Sequence, residues 1–213
     1  MVVQNAWRAL WWIGLAVLFS LSLWYSAAIV VNDLIEHGWM NPHLEGWLSA
    51  SVPLGFVIGT LISSFFGLAD KINPRKIFAI SALFGAIFNI FILFVHTSFL
   101  IIVLRMLTGV ALAGVYPIAV KILSQWFPKN RGLAVGILIA ALTIGTSLPH
   151  LISILFSNIN WKLIIVSSSV LSFIATLIVM FLLEDSPIQV KSSPFSMRLL
   201  MKVIRNKRVM LAN

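Results

Sequence analysis

The sequence predicts an all-α integral membrane protein of six spans, and three observations carry that prediction. Of the 213 residues, 60% are hydrophobic and only 10% are charged, whereas a soluble domain carries about 25% charged residues. The apolar residues fall in runs close to the ~20 residues that a helix needs to cross a ~30 Å hydrocarbon layer. The charges fall between those runs and in the tail, with the bases gathered on alternate loops. A soluble core could not hide this much apolar surface. The runs are too long and too uniformly apolar for barrel strands, so the spans are helices. The net charge of +9 sits where membrane orientation puts bases, which argues against a nucleic-acid partner. The chain has no cysteine, which excludes disulfides, thiol catalysis and Cys-ligated metals.

The first span is Trp11–Val31. Arg8 precedes it and Ser26-Ala27-Ala28 supplies small residues, as in a secretory leader. Its apolar run is longer than the ~7–15 residues of a leader and runs straight into a polar loop, so it is a retained helix. Ser22, Ser26 and Asp33 are roughly aligned on it, beside Trp24 and Tyr25. Aromatic packing and a place on a solute path are both open readings of that group. The second span is Trp47–Leu68 and the third Ile77–Val95. Between them, Gly67-Leu68-Ala69-Asp70-Lys71-Ile72-Asn73-Pro74-Arg75-Lys76 places four charges within seven residues. Pro74 and Asn73 forbid a continuous helix, so a tight charged hairpin joins the spans. An Asn at position 73 suits the left-handed backbone of a turn. The hairpin is either a plain solvated loop or a membrane-surface latch of Asp70, Lys71, Arg75 and Lys76. Asn89, in the third span, reads as an interhelical hydrogen bond.

The fourth span, Phe99–Leu123, holds Arg105. An intramembrane arginine costs about 2.5–3.5 kcal/mol at a helix centre. Arg105, Gly109, Ala113 and Tyr116 share one small, polar helix face, which must meet protein or a water-filled cavity. The alternative is an arginine whose head snorkels to the outer surface. The fifth span, Leu133–Leu155, carries a stripe of Gly132, Gly136, Ala140, Thr143, Ser147 and His150. Small residues let helices approach closely, so the stripe reads as a packing face. Thr143, Ser147 and His150 add hydrogen-bonding capacity, and His150 is either a packed histidine or a proton relay. The sixth span is Trp161–Leu183. Trp11, Trp12, Trp47, Trp126 and Trp161 lie near span ends, as interfacial anchors do.

Residues 1–183 thus form a six-helix membrane domain. Residues 184–213 form a connector: Glu184-Asp185-Ser186-Pro187 ends the last helix, and Arg198, Lys202, Arg205, Lys207 and Arg208 suit a stretch lying on anionic lipid. Val209-Met210-Leu211-Ala212 reads as the first turn of a truncated seventh helix. Arg8, Lys71, Arg75, Lys76, Lys129, Arg131 and the tail bases fall on one side. Asp33, Glu36 and Glu45 fall on the other, with Lys162 as its base. The bias puts both ends in the cytoplasm. An internal repeat also emerges: Gly46-Trp47-Leu48 leads to Ile58-Gly59-Thr60 at the interval by which Gly132-Leu133-Ala134 leads to Ile144-Gly145-Thr146. The copies enter from opposite sides, as in two three-helix units of inverted topology.

The hairpin resembles the loop between the second and third helices of the major facilitator superfamily, whose usual form is Gly-x-Leu-Ala-Asp-Arg-x-Gly-Arg-Arg/Lys. Leu68, Ala69, Asp70, Lys71, Arg75 and Lys76 occupy matching places. Phe66 stands at the family's first glycine, with Gly67 one position late, and Asn73 replaces the turn glycine. Arg105-x-x-x-Gly109, with Gly114 and Pro117, resembles that family's fourth helix. Gly145 and Pro149 resemble its fifth, without the Gly-Pro dipeptide of its drug antiporters. The resemblance implies the amino-terminal half of a twelve-helix transporter in the plasma (inner) membrane. It implies secondary transport of a small molecule or ion by alternating access. The implied path or coupling residues are Arg105, Gly109, Tyr116, Trp24, Tyr25, Ser26, Thr143 and His150. The implied latch is Asp70, Lys71, Arg75 and Lys76. The expected partners are the solute, the lipid bilayer, and a missing carboxy-terminal half or a self-pairing copy. No cofactor, metal or enzyme activity is expected, because no catalytic motif is present and all six acids lie in loops or at span ends. The chain alone is expected not to transport. The competing readings are a non-transporting six-helix membrane protein and a self-pairing half-transporter.

Overall fold

A computed structural model describes residues 2–155 and 160–185, all of them helix or connecting turn. The basic connector and the start of a seventh helix, expected beyond Asp185, lie outside the described residues. The helices are α1 (Val2–Leu21), α2 (Ser26–Ile29), α3 (Val31–Glu36), α4 (Glu45–Phe66), α5 (Leu68–Lys71), α6 (Pro74–Phe91), α7 (Ser98–Leu112), α8 (Tyr116–Trp126), α9 (Arg131–Leu155) and α10 (Trp161–Leu177). A π-helical turn, Ile178–Leu182, continues α10. Among the described residues, five helical stretches are long and apolar enough to cross a membrane: Pro42–Phe66, Pro74–Phe94, Ser98–Trp126, Arg131–Leu155 and Trp161–Leu182.

The first apolar run is not one helix. It begins at Val2 rather than Trp11 because Ala6, Ala9, Leu10 and Ile13 are buried in the core, which extends the helix past the membrane-length segment. It then breaks. Leu23 N–H bonds to Ser20 and Trp24 N–H to Leu21, each one residue short of the helical interval, before α2 resumes at Ser26. The fourth run also breaks, between α7 and α8. Pro117 has no N–H to give and its ring crowds the carbonyl four residues back. The backbone turns instead through Gly114 N–H to Ala111 and Val115 N–H to Leu112.

The hairpin between α4 and α6 differs from the expectation at Asn73. Its φ is −55° and ψ 123°, and its side-chain oxygen accepts from Arg75 N–H, capping α6 with Pro74 at the first helical position. An Asn ahead of Pro is held extended and is well suited to capping. The left-handed turn residue is Gly67, at φ 60°, closing α4.

Packing pairs α4 with α7, α1 with α9, α1 with α10, and α6 with both α7 and α10. Glycines set the closest approaches. A Cβ on Gly55 would lie 2.0 Å from the Met106 carbonyl oxygen, and one on Gly109 2.2 Å from that of Val52, so the α4 and α7 backbones touch. Gly145 likewise lets α9 meet the Leu18 carbonyl of α1.

Among the described residues, the stripe on α9 is largely unpacked. A Cβ on Gly132 or Gly136 would meet nothing within 4 Å, and Thr143, Ser147 and His150 are exposed. Only 22% of the α9 membrane window is buried, against 50% for α10. Val57 and Leu61 on the outer face of α4 are exposed as well. These two helices therefore carry the unfilled sides of the bundle.

Candidate functional site: a buried arginine at the break in the first span

Arg105 is the largest fully buried side chain described, at 1% exposure. Its Nη1 donates to the Leu23 carbonyl at 2.9 Å, to Ser26 Oγ at 3.2 Å and to Asn89 Oδ1 at 3.1 Å. Its Nη2 donates to the Trp24 carbonyl. None of these partners is a carboxylate. The positive charge is met by amide and hydroxyl oxygens, and two of them are backbone carbonyls at the break between α1 and α2. Bonds from a charged donor are about twice as strong as neutral ones. That strength offsets the high cost of burying a guanidinium, which needs several good acceptors at once. The insertion of a side chain among backbone carbonyls is also a recognised cause of a sharp helix kink. Arg105 and the break are thus one arrangement.

The network continues across the bundle. Ser26 Oγ bonds to Asn89 Oδ1 at 2.7 Å, and Asn89 Nδ2 donates to Ser169 Oγ at 2.9 Å and to the Ile165 carbonyl at 3.2 Å. Ser169 donates to that same carbonyl at 2.9 Å. Asn89 is fully buried. One polar chain therefore ties α7 to the α1–α2 break, to α6 and to α10. Arg105 Nε is buried with no hydrogen-bond partner among the described residues.

The residues singled out in the sequence separate into groups. Arg105 and Ser26 meet in the hub, which Trp24 joins through its carbonyl. The Trp24 ring packs edge-on against Phe56 with centroids 5.4 Å apart. Tyr25 is 41% exposed, and its ring lies 5.8 Å from the imidazole of His150 on α9. Thr143 stands on the open face of α9, its hydroxyl donating to the Ile139 carbonyl at 2.9 Å. Gly109 sits in the α4–α7 contact, and Tyr116 packs half-buried against the core at the start of α8. The hub is filled by its own partners. Of the path or coupling residues singled out in the sequence, Tyr25, Thr143 and His150 are exposed.

At the opposite end, the hairpin charges bind their own bundle. Asp70 Oδ1 pairs with Lys121 Nζ of α8 at 2.6 Å, and Lys121 also donates to the Ala69 carbonyl at 2.6 Å. Arg75 pairs with Asp185 at 3.3 Å, and donates to the carbonyls of Val179 at 3.3 Å and Met180 at 3.0 Å. It thereby caps the last turn of the sixth span. Asn73 Nδ2 also reaches Asp185, at 3.2 Å. Lys71 and Lys76 are exposed. Sequence reasoning missed Lys121 and Ser169. Lys121 sits near the end of an apolar run, where a base snorkels without comment, and Ser169 is one of three successive serines with no pattern to single it out. The signal for Lys121 was its carboxylate partner Asp70, which only tertiary packing brings near.

Comparison with known proteins gives a consistent result. The Major Facilitator Superfamily model matches residues 10–212. The niacin transporter NiaP of Acinetobacter baylyi is 26% identical over 151 residues, which is 66% of this chain and 34% of that protein. An uncharacterised transporter of Buchnera aphidicola subsp. Baizongia pistaciae is 35% identical over 134 residues, covering 62% of this chain and 33% of that protein. A bacterial homologue of the human lysosomal transporter Spinster, solved inward-facing and unoccupied, superposes with a TM-score of 0.72 at 17% identity. That superposition covers 92% of this chain and 46% of the other. The chain spans about a third of the length of the curated relatives it matches.

Proposed function

The chain belongs to the major facilitator superfamily, an integral multi-pass family, and from that premise we propose that it is the amino-terminal half of a secondary transporter. It would move a small solute by alternating access, with the path running between this half and a second one. The observation that carries the reading is the pair of sparsely covered helices, α4 and α9, which among the described residues bury only 28% and 22% of their membrane windows and present small or apolar faces. Their symmetry supports two inverted three-helix repeats. Gly59 of Ile58-Gly59-Thr60 brings the second span onto Val110 of the fourth, and Gly145 of Ile144-Gly145-Thr146 brings the fifth onto Leu18 of the first. The first span, broken at Ser22–Tyr25, counts as the sixth crossing in this reading. Tyr25 and His150 face the path, Trp24 and Thr143 border it, and Gly109 and Tyr116 set the fourth span beside it. Arg105 and Ser26 act one step back, by holding the break that presents Tyr25.

The test is uptake into vesicles, with radiolabelled niacin as the first solute because a relative's name points to it. The complete transporter should give saturable uptake, and the 213-residue chain alone none. Saturable flux from the purified chain would refute the half-transporter reading. A flux rising with the square of protein density would indicate a self-pairing copy. The same absence of cysteine allows orientation to be read in intact cells. A cysteine at Asn41 should react with an impermeant thiol reagent, and cysteines at Asn73 and Lys129 should not, which places both ends in the cytoplasm.

The hairpin is proposed to steady one conformational state through Asp70 and Lys121, with Arg75 and Asp185 fixing it to the sixth span. A partly exposed ion pair contributes only about 0–1 kcal/mol to stability. Asp70→Asn should therefore leave protein level and insertion unchanged while cutting uptake several-fold. Lys121→Gln should have the same effect, with no further loss in the double variant. Wild-type uptake in Asp70→Asn would reduce the hairpin to a plain loop.

A further inference from the structure

Positive charge in the middle of this bundle is not matched by negative charge. Of the six acids, Asp70, Glu184 and Asp185 lie at the hairpin end, and Asp33, Glu36 and Glu45 lie past α2 at the other. Between those ends, residues 46–66, 77–95, 99–120, 132–155 and 163–182 hold no carboxylate. Arg105 stands among them, and its four acceptors are neutral: the Leu23 and Trp24 carbonyls, Ser26 Oγ and Asn89 Oδ1. Such bonds hold a guanidinium in place but do not cancel its charge. In a setting of low dielectric the remaining field reaches over several residues. The break in the first span decides where it emerges. Arg105 Nη2 bonds to the carbonyl of Trp24, so one peptide unit separates the guanidinium from Tyr25. The half-exposed Tyr25 ring lies beside the His150 imidazole, and Ser147, one turn earlier on α9, is exposed next to them. A phenol and an imidazole can both donate to an anion. A cation at this place would meet unmatched positive charge, and a neutral solute would gain nothing from it. We propose that the solute received between the α1–α2 break and α9 is a small organic anion, a carboxylate or sulfonate, held by the field of Arg105 and by Tyr25 and His150 as donors. This rests on the half-transporter reading, which supplies the path, and adds the charge of what travels it.

The absence of cysteine makes the local charge measurable. The purified 213-residue chain carrying Ser147→Cys is labelled with sulfonatoethyl methanethiosulfonate, an anion, and with trimethylammonioethyl methanethiosulfonate, a cation of similar size. Both rates are normalised to those of 2-mercaptoethanol. The anionic reagent should then react on the order of tenfold faster than the cationic one, the low end of what a focused charge does to an encounter rate. Asn89→Asp should return the ratio to one, because a side chain of the same shape sets a carboxylate where Oδ1 now lies 3.1 Å from Arg105 Nη1. Arg105→Gln should do the same, and the Asp variant decides if the Gln variant does not fold. A ratio near one in the parent, or a high ratio that Asn89→Asp leaves unchanged, would overturn the proposal. The complete transporter is then screened with solutes that differ by one charge: nicotinate against nicotinamide, and benzoate against benzamide and benzylammonium. Saturable uptake confined to the carboxylates is the expected result, and saturable uptake of an amide or of the ammonium would overturn the proposal. Saturable uptake of none of them would count against the half-transporter reading instead, while the reagent ratio, which needs no transport, still decides the charge.

Discussion

In the complete transporter proposed above, Arg105→Lys is expected to remove most transport activity and to destabilise the fold by about 2–4 kcal/mol, although the charge is kept. The guanidinium serves four acceptors on two elements from two nitrogens set at a fixed angle. A lysine ammonium is a single point with three donors and cannot span the Leu23 and Trp24 carbonyls together with Asn89. Bonds to charged groups are worth about 1.5–3 kcal/mol each, and each buried acceptor left unmet adds about 1–3 kcal/mol. The loss falls where the first span changes direction, so the consequence is a displaced Tyr25 as well as lower stability. Two readouts separate these effects. Thermal unfolding in detergent reports stability, and uptake per correctly inserted molecule reports function. Asn89→Ala should copy the stability loss, since it removes the Oδ1 that accepts from Arg105 and the Nδ2 that donates to α10. A lysine variant with normal unfolding temperature and normal uptake kinetics would show that the hub neither holds the break nor matters to the path. Snorkelling predicts that result, because both side chains reach equally well for water.

Much of this architecture could be read from the residues. Scarce charge and long apolar runs predicted helical membrane spans, and Arg105 stood out because an intramembrane guanidinium is costly. What could not be read was what Arg105 touches. Two of its four acceptors are backbone carbonyls, and carbonyls freed at a break leave no mark in a sequence that holds neither Gly nor Pro between Ser20 and Ser26. The break at Ala113–Val115 was legible in principle, because Pro117 is there to cause it. Gly109 was placed on the face of Arg105 by its spacing, yet it serves the contact with α4, since a residue without Cβ belongs wherever two backbones come closest. The α9 stripe was read as packing because small residues usually pack. Among the described residues nothing meets a Cβ built at Gly132 or Gly136 within 4 Å, so that reading has no partner within them. The pairing of Asp70 with Lys121 illustrates the general limit. Both charges are visible in the sequence, but one lies in the hairpin and the other on the fourth span, and only the packing of α4, α6 and α8 brings them within 2.6 Å.

Gly55→Ala and Gly136→Ala make the same chemical change on two membrane helices and should have opposite effects. At Gly55 the new methyl carbon would lie 2.0 Å from the Met106 carbonyl oxygen and 2.9 Å from its carbon. Both are backbone atoms, so no side-chain rotation can make room. α4 must move away from α7, and the Gly109 contact with Val52 and the Gly59 contact with Val110 loosen with it. Overpacking of this kind costs about 1–3 kcal/mol, and more where backbones rather than side chains collide. At Gly136 the same methyl meets nothing within 4 Å. Replacing glycine by alanine inside an unobstructed helix then stabilises it by roughly 0.5–1 kcal/mol, because less backbone freedom is lost on folding. Unfolding of the purified chain should show both signs. Equal behaviour of the two variants would mean that the α4–α7 contact is looser than described. Gly136→Leu extends the comparison to function. In the chain alone it should be tolerated, since the face is open. In the proposed complete transporter it should suppress uptake, because a branched side chain would stand where the proposed second half would slide across α9. A leucine tolerated in both settings would remove α9 from the moving interface.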